Sequence, residues 1–202
     1  MANNNYLLTY KDHFSNNIPR WNTIVKPFLL KKTGVVRVLD IEPVEGRSSI
    51  WILENIPNSH VTAISLNKKT LEHLQHNLKP FGDRTKIITA SHLGSALRDL
   101  HEDSYDFIYI DSGKDARYSM EAAVTSFNLL KSKGMMVFDD YTTDHLHGQA
   151  CPKPAIDHFA DCYARYIKVI HATWQFVLLK RTKALPIKAC RSEYYHENID
   201  HI

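Results

Sequence analysis

Acidic side chains stand at the ends of three apolar runs in this sequence, where they could bind a ligand. Asp40 closes VVRVLD, Asp111 closes FIYID, and the pair Asp139 and Asp140 closes MMVFDD. Carboxylates accept hydrogen bonds from hydroxyl groups, and their oxygens are preferred ligands of hard divalent ions. A competing interpretation, that such acids only cap the next helix, stays open.

A turn with the shape of a nucleotide-binding loop follows the first of these runs. It lies in VLDIEPVEGRSS, residues 38–49, and carries Glu42 where such turns usually have glycine. Gly46 would open a helix whose free N–H groups attract an anionic group, and Ser48 would add a hydroxyl. Pro43 favours an extended Glu42, so the glutamate side chain either points outward or blocks the pocket.

Apolar runs alternate with helical patterns through the middle of the chain. Short runs rich in Val and Ile indicate strands, and apolar residues three and four apart indicate helices. Proline and glycine end several of these segments. We predict strands at 35–41, 60–66, 85–90, 104–112 and 135–141, a hairpin at 166–172 and 173–181, and helices at 46–56, 71–78, 92–101, 115–131 and 154–164.

Strands separated by helices form a largely parallel sheet with helices on both faces. The predicted fold class is therefore α/β, a single Rossmann-like domain whose mostly parallel seven-stranded sheet ends in an antiparallel hairpin. Ligands of such sheets bind at the carboxyl ends of the strands, where the acids named above lie. The sequence has no G-x-G-x-x-G, which argues against a nicotinamide cofactor.

Composition narrows the class of protein. The 202 residues are 44% hydrophobic with a net charge of +3, which suits one compact domain and does not indicate nucleic-acid binding. The three cysteines, Cys151, Cys162 and Cys190, lack C-x-x-C spacing, and no run is long enough to span a membrane. We expect an intracellular, cytoplasmic protein without a membrane partner, and homo-oligomerisation stays open.

Four segments, taken in order, resemble one known family. They read FSNNIPRW (14–21), VLDIEPVEGRSS (38–49), YDFIYIDSGKDARY (105–118) and LLKSKGMMVFDDY (129–141). Together they resemble class I S-adenosylmethionine-dependent methyltransferases, above all the small-molecule O-methyltransferases and the cephalosporin-hydroxylase-like group (methyltransferase domain 24 type). The resemblance implies one methyltransferase domain over 1–181, with a helical lead-in at 1–33. A polar tail at 182–202 is then either disordered or a docking segment.

The resemblance implies that S-adenosylmethionine binds along the ends of the first three strands. Its contacts would come from Asp40, Glu42, Gly46, Ser48, Ser65, Ser91 and His92. Glu42 replaces the family's glycine, and Ser65 replaces the acid that usually binds both ribose hydroxyls after the second strand. A serine makes only one such bond, so two cofactor contacts depart from the family.

On the acceptor side, the sequence matches the family pattern. The resemblance implies that Asp111, Asp139 and Asp140 bind magnesium, and that the ion lowers the pKa of an acceptor hydroxyl bound to it. Asp111 and Lys114 are then the predicted catalytic residues, with Lys114 taking the hydroxyl proton if its neighbours lower its own pKa. A solvent-exposed loop lysine is the competing interpretation of Lys114.

Two functions are compatible with these observations. The first is an S-adenosylmethionine-dependent methyltransferase that performs magnesium-assisted O-methylation of a small hydroxylated acceptor. The second is a catalytically inactive, methyltransferase-like binding or scaffolding module, favoured by the departures at Glu42 and Ser65. Binding of another adenosine-containing ligand is a weaker third hypothesis, because a shared fold does not fix chemistry.

Overall fold

The computed structural model describes residues 5–111, 113, 115–142 and 151–186. These residues form a seven-stranded sheet with the order β3-β2-β1-β4-β5-β7-β6. The strands are β1 Val36–Ile41, β2 Ser59–Ser65, β3 Thr85–Thr89, β4 Tyr105–Ile110, β5 Leu130–Phe138, β6 Ile167–Ala172 and β7 Phe176–Lys180. The first five strands are parallel, and β7 runs antiparallel to both β5 and β6. The predicted fold class is confirmed.

Helical segments connect the strands. The α-helices are α1 Ile18–Arg20, α2 Lys26–Leu30, α3 Arg47–Asn55, α4 Leu71–Leu78, α5 Leu93–Leu97, α6 Ala116–Phe127 and α7 Lys153–Cys162. Short 3₁₀ segments occupy Ser15–Asn17 and Lys79–Arg84, and a π-helical turn occupies Trp21–Val25. Of the lead-in predicted as helical at 1–33, residues 15–30 are helical, whereas the described residues 5–14 are not. Within the described chain, none of these helices is long and apolar enough to cross a membrane.

The sheet lies between two apolar layers, and β4 shows how the sequence produces them. Phe107 and Tyr109 pack into one layer with Trp21, whereas Ile108 and Ile110 pack into the other with Phe127. Successive side chains of a strand point to opposite faces, so a strand covered on both sides needs apolar residues at every position. The uninterrupted run FIYI is therefore the mark of a central strand.

Two predicted helix ends are wrong. The helix predicted at 92–101 ends at Leu97, and the boundary between α6 and β5 is also displaced. Helix α6 ends at Phe127 rather than near 131, and β5 begins at Leu130 rather than 135. Residues 131–134 form a bulge, since the pairing of β4 with β5 shifts register between Tyr105 and Phe107. A Cβ on Gly134 would come within 2.8 Å of the Lys131 carbonyl oxygen, so this glycine permits the bulge instead of closing the helix.

Candidate functional site

Two adjoining cavities lie at the carboxyl ends of β1 and β4. The first, of about 560 Å³, is bounded by an N-terminal strap (residues 5–14) and by the start of α3. The second, of about 540 Å³, reaches the end of β2 and is lined by Glu42, Leu66 and Tyr118. Val44, Asp111 and Gly113 line both cavities, which therefore form one elongated cleft.

The turn between β1 and α3 adopts a left-handed backbone at three positions. Glu42 has φ +61°, Val44 has φ +55° and Gly46 has φ +90°. The extended conformation predicted for Glu42 from Pro43 is wrong, because its φ is positive. Its N–H nevertheless pairs with β2, by donating to the Ile64 carbonyl at 2.8 Å. Left-handed non-glycine residues cost about 1–3 kcal/mol each, so the turn stores strain.

Gly46 is required for its positive φ and also for the close packing around it. A Cβ at this position would lie 2.9 Å from Cδ1 of Leu74 and 3.5 Å from Cδ2 of Leu78. The glycine therefore lets the start of α3 approach α4 closely. Among the described residues, no side chain caps the N-terminus of α3, so its first N–H groups and the positive end of its dipole are available beside the first cavity.

The Glu42 side chain lies across the end of β2. Its Oε1 accepts a hydrogen bond from the Leu66 N–H, and the half-buried carboxyl group lines the second cavity. Burial raises the pKa of this carboxyl, and the Leu66 hydrogen bond partly offsets that effect. Glu42 therefore neither points into bulk solvent nor packs in the core, but forms a wall of the cleft.

Asp40 is completely buried beneath the same turn. Its Oδ2 accepts hydrogen bonds from Ser48 Oγ at 2.7 Å and from Ser49 Oγ at 2.6 Å, whereas its Oδ1 has no partner within the described part of the chain. Burial raises the pKa of Asp40 to about 6, despite the two serine hydroxyls that lower it. The Ser48 hydroxyl predicted to meet the cofactor thus donates to Asp40, although Ser48 is among the residues that line the first cavity.

Glu45 attaches the strap to the turn, a role that sequence reasoning missed. Its carboxylate is only 1% exposed and accepts hydrogen bonds from the Thr9 and Tyr10 N–H groups at 2.8 and 3.1 Å. His73 Nδ1 lies 2.9 Å from the same group. Burial alone would raise the pKa of Glu45, but these hydrogen bonds outweigh it and lower the pKa. In the sequence, the only sign of this role was an acidic residue directly before Gly46 in the turn.

Asp139 is held in a buried hydrogen-bond network. Asn17 Nδ2 donates to both of its oxygens, at 3.2 and 3.1 Å, Gln175 Nε2 donates to Oδ1 at 3.0 Å, and the Tyr109 hydroxyl donates to Oδ2. Trp21 Nε1 in turn donates to Gln175 Oε1 at 3.1 Å. Both oxygens of Asp139 are therefore occupied by protein donors.

Asp111 lies at the junction of the two cavities. Its pKa is raised well above the usual range by burial and by the charges of Asp139, Asp140 and Asp40, although the Gly113 N–H lowers it. Asp140 also lines the first cavity. The structure therefore brings Asp111 and Asp140 to the cleft, as predicted, whereas Lys114 lies outside the described residues.

The three predicted magnesium ligands are not brought together as one set in the described residues. Asp139 cannot turn toward an ion without giving up its hydrogen bonds to Asn17, Tyr109 and Gln175. Across the described ranges, no group of three or more His, Cys, Asp or Glu side chains is arranged to hold a metal ion. Because magnesium is commonly bound through one or two carboxylates and water, its binding by Asp111 and Asp140 stays a prediction.

Three predicted cofactor residues lie away from the cleft lining. Ser65 is buried at the end of β2, and its Oγ donates to the Asn67 carbonyl at 3.3 Å. Ser91 and His92 are exposed after β3, where His92 precedes α5. None of these three described residues lines either cavity. Any contact with a cofactor stays a prediction for them.

A known family matches the part of the chain that contains the cleft. Residues 44–141 match the family model described as a methyltransferase domain. This range begins within the β1–α3 turn and ends after β5, so it includes the strand ends that bound the cleft. No curated protein is similar enough in sequence to be matched.

Several solved structures share the fold. A Corynebacterium glutamicum protein has a TM-score of 0.65 at 17% identity, with 89% of this chain and 86% of that chain covered. A structure described as a putative caffeoyl-CoA O-methyltransferase from Staphylococcus aureus has a TM-score of 0.61 at 16% identity, with 85% of each chain covered. An S-adenosylhomocysteine-bound methyltransferase from Podospora anserina has a TM-score of 0.56 at 19% identity, covering 73% of this chain and 72% of that one.

Proposed function

We propose that this chain is an S-adenosylmethionine-dependent methyltransferase that O-methylates a small hydroxylated acceptor held in the first cavity. The match of residues 44–141 to a methyltransferase-domain model and the fold shared with solved methyltransferases support the proposal. The observation that carries the proposal is the cleft beside the N-terminus of α3. The second cavity suits the nucleoside end of the cofactor, and the part of the first cavity beside α3 suits its amino-acid end. The rest of the first cavity, which is lined by aromatic rings, is then left for the acceptor.

The residues around the turn fit the cofactor's amino-acid end. The first N–H groups of α3 and its dipole favour the carboxylate of the methionine moiety. The unpartnered Oδ1 of Asp40, beneath the turn, adds negative potential that favours the ammonium and sulfonium groups. An orphaned buried oxygen without a cation is costly, and a bound cation would offset that cost.

The lining of the first cavity suits an acceptor with a planar, apolar part. Rings of Tyr10, Phe14, Tyr109 and Trp174 line it, and Lys11 and His13 add polar atoms on the strap. Small-molecule sites are commonly apolar with a few polar groups that fix orientation. The strap also covers this cavity, so it would limit the access of water to the reacting groups.

Asp111 is the residue that we propose removes the acceptor's proton. Bound S-adenosylmethionine supplies a methyl group on a positively charged sulfur, which an oxygen nucleophile accepts. Asp111 lines both cavities, so its carboxylate can orient a hydroxyl of the acceptor toward the cofactor and take the proton of that hydroxyl. Its raised pKa makes it a stronger base, once ionised, than an ordinary aspartate.

The proposed proton transfer to Asp111 does not depend on a metal ion, and magnesium binding at Asp111 and Asp140 stays a separate prediction. Lys114, which lies three residues after Asp111, stays a predicted partner in proton removal. An alternative function, a binding module without a cofactor, is favoured by one observation: the Glu42 carboxyl group lies in the nucleoside half of the cleft, where it would obstruct binding if it cannot contact the ligand.

Calorimetric titration with S-adenosylmethionine and S-adenosylhomocysteine, with and without magnesium, tests the proposal. We expect micromolar affinity that magnesium does not change. Transfer of a labelled methyl group to a panel of hydroxylated aromatic compounds would then identify the acceptor. Absence of binding at millimolar cofactor, by protein that unfolds cooperatively on heating, would support the binding module instead.

A further inference from the structure

We propose that Glu42 supplies the carboxylate that binds the ribose hydroxyls of S-adenosylmethionine. The inference rests on the proposed function, since it takes this cofactor as the ligand of the cleft. It assigns a binding role to a residue of the β1–α3 turn, in place of an acid at the end of β2. It also reverses the interpretation of Glu42 as an obstruction.

The first support is the position of the carboxyl group. The Glu42 main chain is joined to β2 by its hydrogen bond to the Ile64 carbonyl, and its side chain is joined to the next part of the chain by the Leu66 N–H. Both bonds hold a residue of one strand end over the end of the neighbouring strand. The carboxylate therefore lies at the C-terminal end of β2, although Glu42 itself follows the C-terminal end of β1.

The second support is the unused hydrogen-bonding capacity of the second cavity. Among the described residues, Leu66 alone donates to the Glu42 carboxylate, and it uses Oε1, which leaves Oε2 for a ligand. Tyr118 lines the same cavity, and its hydroxyl is buried and has no hydrogen-bond partner among the described residues. A carboxylate with one oxygen unused and a hydroxyl without a partner beside one cavity indicate a polar ligand.

The third support is the chemistry of a ribose. Its vicinal hydroxyls are two donors side by side, and a carboxylate is the side chain that accepts from both. In α/β folds that bind dinucleotides, an Asp or Glu at a strand end binds the ribose in this way. Ser65 offers a single hydroxyl, which in this structure donates to the Asn67 carbonyl, so it does not match the two oxygens of a carboxylate.

The fourth support is the backbone at Glu42. Its φ of +61° is a conformation that glycine adopts without strain and glutamate does not. A glycine here would relax the turn but would remove the only carboxylate that lines the second cavity besides Asp111 among the described residues. Strained positions concentrate at binding sites, so the strain agrees with a binding role for this side chain.

The test compares two probes on four proteins. The probes are S-adenosylhomocysteine and its 2′,3′-dideoxy analogue, and the proteins are the wild type, Glu42→Gln, Glu42→Gly and the control Glu102→Gln, which alters an exposed glutamate. We expect each Glu42 variant to bind S-adenosylhomocysteine roughly 10- to 100-fold more weakly, as for a lost hydrogen bond to a charged group. The affinity for the dideoxy analogue should stay unchanged.

The outcomes separate this inference from the proposed function. If the wild type binds S-adenosylhomocysteine but Glu42→Gly binds it equally or more tightly, Glu42 is an obstruction and only the present inference fails. Equal weakening toward both probes would also overturn it, because the effect would then be structural. If the wild type binds neither probe, the proposed function fails as well. Glu42→Gly relieves the backbone strain, so it keeps the test valid should Glu42→Gln fold poorly.

Discussion

The Oε1 atom of Glu45 accepts hydrogen bonds from both the N–H and the hydroxyl of Thr9, at 2.8 and 2.9 Å. Thirty-six positions separate these residues, and the contact closes the N-terminal strap over the first cavity. The turn between β1 and α3, which borders both cavities through Val44, therefore also holds the strap over the first cavity. Loss of the Glu45 contact should therefore both destabilise the turn and open the cleft to solvent.

We expect Glu45→Ala to release the strap. The variant leaves the Thr9 and Tyr10 N–H groups without their acceptor, which should lower the free energy of unfolding by about 1–3 kcal/mol. Trypsin should then cleave after Lys11 faster than in the wild type. Urea unfolding and timed proteolysis measure both effects. Glu72→Ala, an exposed position on α4, is the matched control, and equal cleavage rates in the two variants would contradict the role of Glu45.

Buried Asp40 should make the folded protein less stable as pH rises. Its pKa is about 6 in the folded state and 3.8 for an ordinary aspartate, so the folded state binds more protons between these values. Stability from this group is present at low pH and is lost as pH rises through about 6. Between pH 5 and pH 7 we expect a loss of about 1 kcal/mol. Urea unfolding at both pH values, compared with Asp40→Asn, isolates the effect. The prediction fails if both proteins show the same change.

Asp111→Asn should abolish most of the activity without preventing cofactor binding. Loss of a general base typically costs 10²- to 10⁴-fold, so kcat should fall by about that factor. Because the base acts in its ionised form and its pKa is raised, wild-type activity should fall as pH decreases through a value well above 3.8. A pH–rate profile after an acceptor is found measures this. Asp99→Asn, at an exposed position, is the control, and an unchanged profile in Asp111→Asn would exclude the role.

The Asp139 network should depend strongly on Gln175. Gln175→Leu removes one donor to Asp139 and the acceptor of Trp21 Nε1, so a buried carboxylate and a buried indole N–H lose partners. We expect the free energy of unfolding to decrease by about 2–4 kcal/mol. Asp139→Asn in the same background should recover part of the loss, since the buried charge is gone. No recovery would mean that packing, rather than the charge, explains the effect.

Local sequence patterns were sufficient for most of the fold. Apolar runs such as FIYI indicate buried strands wherever they occur, because burial on both faces requires apolar residues at every position. The boundary between α6 and β5 was not predictable in this way. Lys131 and Lys133 look like the end of a helix, and only the pairing of β4 with β5 turns them into a bulge.

The sequence by itself determined the α/β fold, the position of the cleft and the resemblance to methyltransferases, because these depend on periodicity and on residue types at strand ends. The tertiary structure decided which atoms face the cleft. Asp139 is turned away by Asn17, which lies 122 positions earlier, and Glu42 is held over β2 by Leu66. Such partners are distant in sequence, and hydrogen bonds between them form only once the sheet has brought the strand ends together.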